Sequence, residues 1–261
     1  MSSVIVVRGG GDLATGVVQK FHRSGFHVVV LETALPLAIR RSVSLCTAVT
    51  DGVAQVEDLR GRLARPAQCE ALWAQREIPV LVDPQAESLA LLKPAAVVDA
   101  ILAKRNLGTR LNMAPVVLAL GPGFEAGRDA HAVIETMRGH DLGRVLYTGS
   151  ALPNTGIPGE IGGKSAQRVL HAPCAGLVAH HSAIGDVIKQ GQPLFSVGKT
   201  IVTAPFSGLL RGLIQSGISI SKGTKAADVD PRIDVDWTTI SDKARCIGGG
   251  ALEAYLSLSR R

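Results

Sequence analysis

The opening stretch of the chain constrains its fold more than any other. Residues 4–8 read Val-Ile-Val-Val-Arg, a β-branched run, and Gly9, Gly10, Gly11 and Asp12 follow at once. An apolar-periodic segment, Leu13 to Phe21, ends at Gly25, and a second β-branched run occupies residues 27–31. Strand, glycine turn, helix and strand in so short a span predict the start of a βαβ unit. Further buried strands are expected at 78–82, 95–99, 116–120 and 144–147, with helical stretches at 66–76, 87–92 and 129–137 between them. That alternation predicts an α/β fold, a Rossmann-like and mostly parallel sheet domain over residues 1–165.

Composition narrows the classes. Of 261 residues, 46% are hydrophobic and 19% charged, enough to bury a sizeable core without staples. The four cysteines, Cys46, Cys69, Cys174 and Cys246, form no CxxC pair, which argues against a disulfide framework or a cysteine zinc site and for a cytoplasmic setting. No apolar run is long enough to span a bilayer, and the early glycine loop leaves no room for a signal peptide, so no membrane partner is expected. A net charge of +6 suits an anionic ligand. Two Trp, two Tyr and five Phe are too few to build a base-stacking platform, and nucleic acid is not expected.

After about residue 150 the pattern gives way to a glycine- and proline-rich connector, and then to an internal repeat. Residues 172–178, Ala-Pro-Cys-Ala-Gly-Leu-Val, recur at an offset of 32 as Ala204-Pro-Phe-Ser-Gly-Leu-Leu210, and Gly185 and Gly191 match Gly217 and Gly223. The repeat resembles the half-motif of biotinyl and lipoyl domains. It predicts a second, smaller all-β barrel-sandwich module over 166–224, made of two halves packed face to face. Residues 225–261 are expected to pack back on the first domain, with Ser241 capping a C-terminal helix. Lys199 lies where those domains carry their modified lysine, but Gly198-Lys199-Thr200 lacks their flanking residues, so no covalent biotin or lipoate is expected.

The first glycine loop carries the main functional expectation. Gly9-x-Gly11-x-x-Ala14, with Gly10 and Asp12 between, follows a strand and opens a helix, where bare backbone amides meet a pyrophosphate. Glu32 ends the next strand, 21 residues after Gly11, placed to accept ribose hydroxyls. Asp12 either caps the helix or holds a bridging cation, while Arg40 and Arg41 are candidates to neutralise phosphate. A second loop, from Gly121 through Gly123 to Gly127, is expected to precede a helix bearing His131 and Glu135 at i, i+4, with His140 beyond; these three are the weak catalytic candidates. Lys104, Arg105 and Asn106 are expected to line the same crevice. Cys246 stands beside Arg245 and is expected to be a plain buried thiol rather than a reactive one. No metal site is expected. The cofactor implied is a dinucleotide.

Taken together, Arg8 to Gly16, Pro36 to Arg41, the Gly121 loop continuing through His131 to His140, Asp228 to Arg232 and Ile240 to Gly250 resemble the accessory proteins of the selenium-dependent molybdenum hydroxylase system. The resemblance implies a maturation role beside a molybdenum hydroxylase or its maturation proteins, with an NAD-like or molybdopterin dinucleotide ligand. It leaves room for a homo-oligomer and assigns no catalytic residue. Two alternatives stand beside it, an NAD-dependent oxidoreductase and a non-catalytic docking or carrier scaffold.

Overall fold

A computed structural model describes residues 3–156 and 159–260. The chain divides into two compact units. One takes the stretches up to Pro36, from Val43 to Thr155 and from Ile240 onward; the other takes Leu37–Ser42 and Gly156–Thr239.

The first unit is built on strands β1 (Val4–Arg8), β2 (His27–Glu32), β3 (Val53–Val56), β4 (Leu59–Leu63), β5 (Ile78–Val82), β6 (Ala96–Asp99), β7 (Val116–Leu120), β8 (Ala132–Ile134) and β9 (Val145–Leu146). They form one nine-stranded sheet in the order β3-β4-β5-β2-β1-β6-β7-β8-β9. From β4 to β8 the neighbours run parallel, and antiparallel pairs, β3 with β4 and β8 with β9, close both edges. Side chains alternate between two cores. Ile5, Val7, Val28 and Val30 meet helices α1 (Asp12–Arg23) and α5 (Asp242–Leu258), whereas Val6, Val29, Leu31 and Val97 meet Cys69 and Trp73 on the other face. Burial on both faces explains why these strands read as unbroken apolar runs.

This corrects the expected Rossmann-like domain: the sheet is mixed, and long helices cover it sparsely. Besides α1 and α5, the described residues of this unit hold only α2 (Ala48–Asp51), α3 (Cys69–Ala74) and α4 (Leu89–Leu92). The expected helix at 129–137 is strand β8 instead. Ala132, Val133 and Ile134 are all buried beside β7, where a β-branched pair packs better than in a helix.

Helix α5 runs straight through Gly248, Gly249 and Gly250, and Ser241 Oγ caps it by accepting the Ala244 N–H at 3.2 Å. Its glycines let it lie against α1. A Cβ on Gly16 would strike the Ala244 carbonyl, and one on Gly248 would strike the Gly16 carbonyl.

The second unit contains β10 (Val169–His171), β11 (Gly176–His180), β12 (Val187–Ile188), β13 (Pro193–Val197), β14 (Thr200–Thr203), β15 (Gly208–Leu213), β16 (Ser219–Ile220) and β17 (Lys225–Asp230). They make two four-stranded sheets, β10-β17-β15-β12 and β14-β13-β11-β16, antiparallel throughout. The offset of 32 maps β11 onto β15, β12 onto β16 and the start of β13 onto that of β17. The expected barrel-sandwich module of two halves packed face to face is therefore corrected. Each sheet draws strands from both copies, because β12 pairs with β15 and β16 pairs with β11. Phe195, Leu194, Leu210 and Val229 fill the shared core. Buried Asp228 and Asp230 on β17 are matched by Arg168, Arg211 and Arg232, with Arg168 to Asp228 at 3.0 Å.

Candidate functional site

Strands added after β1 run first to one side of it, through β2 to β5, and then to the other, starting with β6. Such a reversal opens a crevice beyond the carboxyl ends of the two strands. Beneath that point lies a buried polar knot. Arg8, ending β1, lies 3.4 Å from Asp99, ending β6, and both also bond Thr109, each at 2.5 Å. Burial raises the Asp99 carboxyl above its usual range, against the lowering pull of Thr109, the Ile101 N–H and Arg8. Asn106 folds the loop that carries Thr109, accepting the Gly108 and Thr109 N–H groups and donating to the Thr109 carbonyl.

Above the knot the three glycines divide by role. Gly9 has φ +94°, and a Cβ there would sit 2.9 Å from the Ala100 carbonyl oxygen. A Cβ on Gly10 would sit 2.9 Å from the Cys46 nitrogen. Packing alone requires both glycines. Gly11 has φ −69° and ψ −177°, which any residue adopts, and a Cβ there would meet nothing within 4 Å. Gly11 is also the N-cap of α1, whose first-turn amides have no intrahelical acceptor. Ala14 lies buried against the core. Asp12, in that first turn, complements the helix dipole.

Glu32 is tied into the same loop. Its Oε2 accepts the Gly10 N–H and its Oε1 accepts the Thr33 N–H, both at 2.8 Å. The Gly10 amide is thus satisfied by protein, so any anion must be met by Gly11 and the start of α1. Each Glu32 oxygen keeps a further lone pair for a ligand hydroxyl.

The other sequence-derived residues fall elsewhere. Gly121 (φ +72°) would push a Cβ to 2.5 Å from Thr136 Oγ1, and Gly123 (φ +105°) to 2.6 Å from the Arg105 nitrogen, so this loop is closed by its own packing. It leads into β8, not into a helix, and offers no helix N-terminus. His131 precedes β8 and its Nδ1 accepts the Val117 N–H at 2.9 Å. Glu135 follows β8, buried, and accepts the Thr136, Met137 and Leu152 N–H groups. Both side chains serve backbone, and His140 lies exposed on the turn beyond. Arg40 and Arg41 belong to the second unit, where Arg41 donates to Gln215 Oε1. Lys104 adopts a left-handed backbone (φ +61°) on the exposed loop after β6. Lys199 is exposed at the tip of the β13–β14 hairpin. Arg245 turns to Gln19 and Glu57, and Cys246 donates to the Leu142 carbonyl at 3.1 Å. Cys246 is exposed rather than buried, no disulfide links cysteines among the described residues, and burial pushes the Cys69 thiol up to about 11. No group of metal-ligating side chains occurs among the described residues.

No family model matches the chain. An Escherichia coli K12 protein described as "Uncharacterized protein YqeB" is 49% identical over 257 residues, which cover 98% of this chain and 48% of that protein. The chain thus spans about half the length of the curated relative it matches. Solved structures with partial likeness include an aspartoacylase family protein from Mesorhizobium loti, at TM-score 0.27, 12% identity and coverage of 88% of this chain and 85% of that one. A succinylglutamate desuccinylase from Silicibacter sp. has TM-score 0.26, 12% identity and coverage of 87% and 84%. The ectoine utilization protein EutE from Ruegeria pomeroyi has TM-score 0.25, 12% identity and coverage of 87% and 86%. Scores in this range fall short of a shared fold. With no matching family model and a relative described only as uncharacterized, the expected kinship with the accessory proteins of the selenium-dependent molybdenum hydroxylase system is corrected: nothing points to it. The maturation role, the NAD-dependent oxidoreductase reading and the docking or carrier scaffold are set aside with it.

Proposed function

We propose that the first unit binds a small phosphate-bearing molecule with neighbouring hydroxyls at the carboxyl edge between β1 and β6. Its hydroxyls rest on Glu32 and its phosphate on Gly11 and the first turn of α1. The observation that carries this reading is Gly11. Its two glycine neighbours are demanded by packing, whereas Gly11 has an ordinary φ and open space where a Cβ would stand. Bare backbone that the fold does not need is what a ligand approaching the main chain needs. The dinucleotide expected from the sequence belongs to this ligand class.

No helix among the described residues is long and apolar enough to cross a membrane. Four cysteines far apart in the sequence with no CxxC pair suit the reducing cytoplasm, and we propose that location.

Isothermal titration with ADP-ribose and with ribose 5-phosphate tests the site. Gly11→Val should abolish binding while costing at most about 1 kcal/mol of stability, the scale of an N-cap change. Unchanged affinity in that variant, or no binding of either compound by the natural protein, refutes the reading.

A further inference from the structure

The loop between β6 and β7 carries charge that the fold does not use. Residues 101–110 read Ile-Leu-Ala-Lys-Arg-Asn-Leu-Gly-Thr-Arg, with three cations and no acid. Lys104, Arg105 and Arg110 are exposed, and among the described residues they make no ion pair and no side-chain hydrogen bond. Acids around the loop are already engaged. Arg128 holds Glu125 at 2.6 Å and Asp129 at 2.9 Å on the turn after β7, and Asp99 below is held by Arg8 and Thr109. The backbone of the loop is seated on both glycine turns. A Cβ on Gly9 would come within 3.0 Å of the Ile101 Cα, and one on Gly123 within 2.7 Å of the Lys104 carbonyl carbon. Glycine at these two places lets the loop lie directly on the ends of β1 and β7. Leu102 and Lys104 take left-handed backbone, at φ +60° and +61°, which residues with side chains hold only where the surroundings fix it. Two adjacent cations are thus presented on a fixed segment.

Along the carboxyl edge Glu32 ends β2, Gly11 follows β1 and this loop follows β6, and these strands are consecutive neighbours about 4.8 Å apart. A ligand with its hydroxyls on Glu32 and its phosphate on Gly11 therefore points its far end toward the loop. We propose that Lys104 and Arg105 hold a second phosphoryl group, which makes the ligand a diphosphate or longer phosphate ester rather than a monophosphate. The proposal rests on the reading that Gly11 holds the first phosphate. A second phosphate brings charge that the start of one helix does not balance. An ammonium beside a guanidinium meets it with a compact positive charge and a two-pronged set of donors.

The full chain, titrated with AMP and with ADP in the absence of divalent metal, reads this directly, because the two compounds differ only in the second phosphate. ADP should bind about tenfold more tightly, an advantage that shrinks as salt is raised. Lys104→Asn keeps a residue that tolerates the left-handed backbone, and Arg105→Gln keeps an exposed polar side chain. Together they should erase the ADP advantage and leave AMP affinity unchanged. Lys104→Arg combined with Arg105→Lys retains both charges and should retain most of the advantage. Equal affinity for AMP and ADP in the natural protein, binding of neither, or an advantage that survives loss of both charges overturns the assignment. So does a neutral double variant that loses AMP and ADP alike, since the loop then serves only to shape the site. A parallel titration with ribose 5-phosphate shows whether the neighbouring Gly11 site stands when the loop assignment fails.

Discussion

At the scale of single residues, the carboxyl edge of the sheet is held by charges kept out of water. Arg8 is 4% and Asp99 1% exposed, and each satisfies the other together with Thr109. Removing one member strands the other, and a broken buried pair costs about 3–5 kcal/mol. Asp99→Ala should lower the denaturation midpoint by an equivalent amount, with the slope unchanged, in urea unfolding followed by circular dichroism. A change under about 1 kcal/mol would mean that Arg8 finds another partner. The sequence made some of this legible. Glycines straight after a strand mark a turn, but Glu32, read from the sequence as an acceptor for ribose hydroxyls, also accepts the Gly10 N–H of that turn, which the sequence did not show. Thr109 was not legible, because its partner Arg8 lies 101 residues away and nothing local marks a threonine as a buried acceptor. Glu57 was hidden likewise. It takes a left-handed turn position (φ +51°) and bonds Gln19, Arg245 and the Ile240 N–H, partners drawn from distant parts of the chain.

At the scale of elements, α1 and α5 approach so closely that backbone meets backbone. Gly16 and Gly248 each lie where a side chain would enter the other helix. Gly248→Val should therefore cost about 2 kcal/mol or more through overpacking. Gly249→Ala, whose Cβ would meet open space, should be neutral or slightly stabilising through helix propensity. Paired thermal melts of the two variants check this, and equal effects would refute the close crossing. Ser241 marked the start of α5 in the sequence, although the glycine triplet inside it weakens helix propensity and an apolar period shows only after residue 250. β8 was misread for the opposite reason. His131 and Glu135 flank three apolar residues at a spacing that suits a helix, and only β7 alongside makes the strand the better burial.

At the scale of the whole molecule, acid should act through carboxylates held below their usual range. The Arg62 hydrogen bond lowers Glu77, and the Arg23 hydrogen bond lowers Asp58. For Asp230 burial alone would raise the value, but its bonds to Arg232 and the charge of Arg211 outweigh it. Each contributes stability above its unfolded value, near 4, and loses it as the pH falls through the lower folded value. Asp99, raised by burial, works in the opposite sense and offsets one of them. Calorimetry from pH 7 down to 2.5 should show a shallow decline from about pH 6.5, because burial lowers His22 and His180 and the unfolded chain takes up their protons first, and a steeper fall below about pH 4. A melting temperature that rises on acidification would refute this balance.

The interleaved strands of the second unit carry a consequence for its origin. A lone thirty-two-residue half holds no complete sheet, since each sheet is finished by a short strand from the other half. A half standing alone would complete its sheet by lending that strand to a second copy and borrowing one in return. What is now a single polypeptide is, in its geometry, a strand-exchanged dimer with its two members spliced end to end.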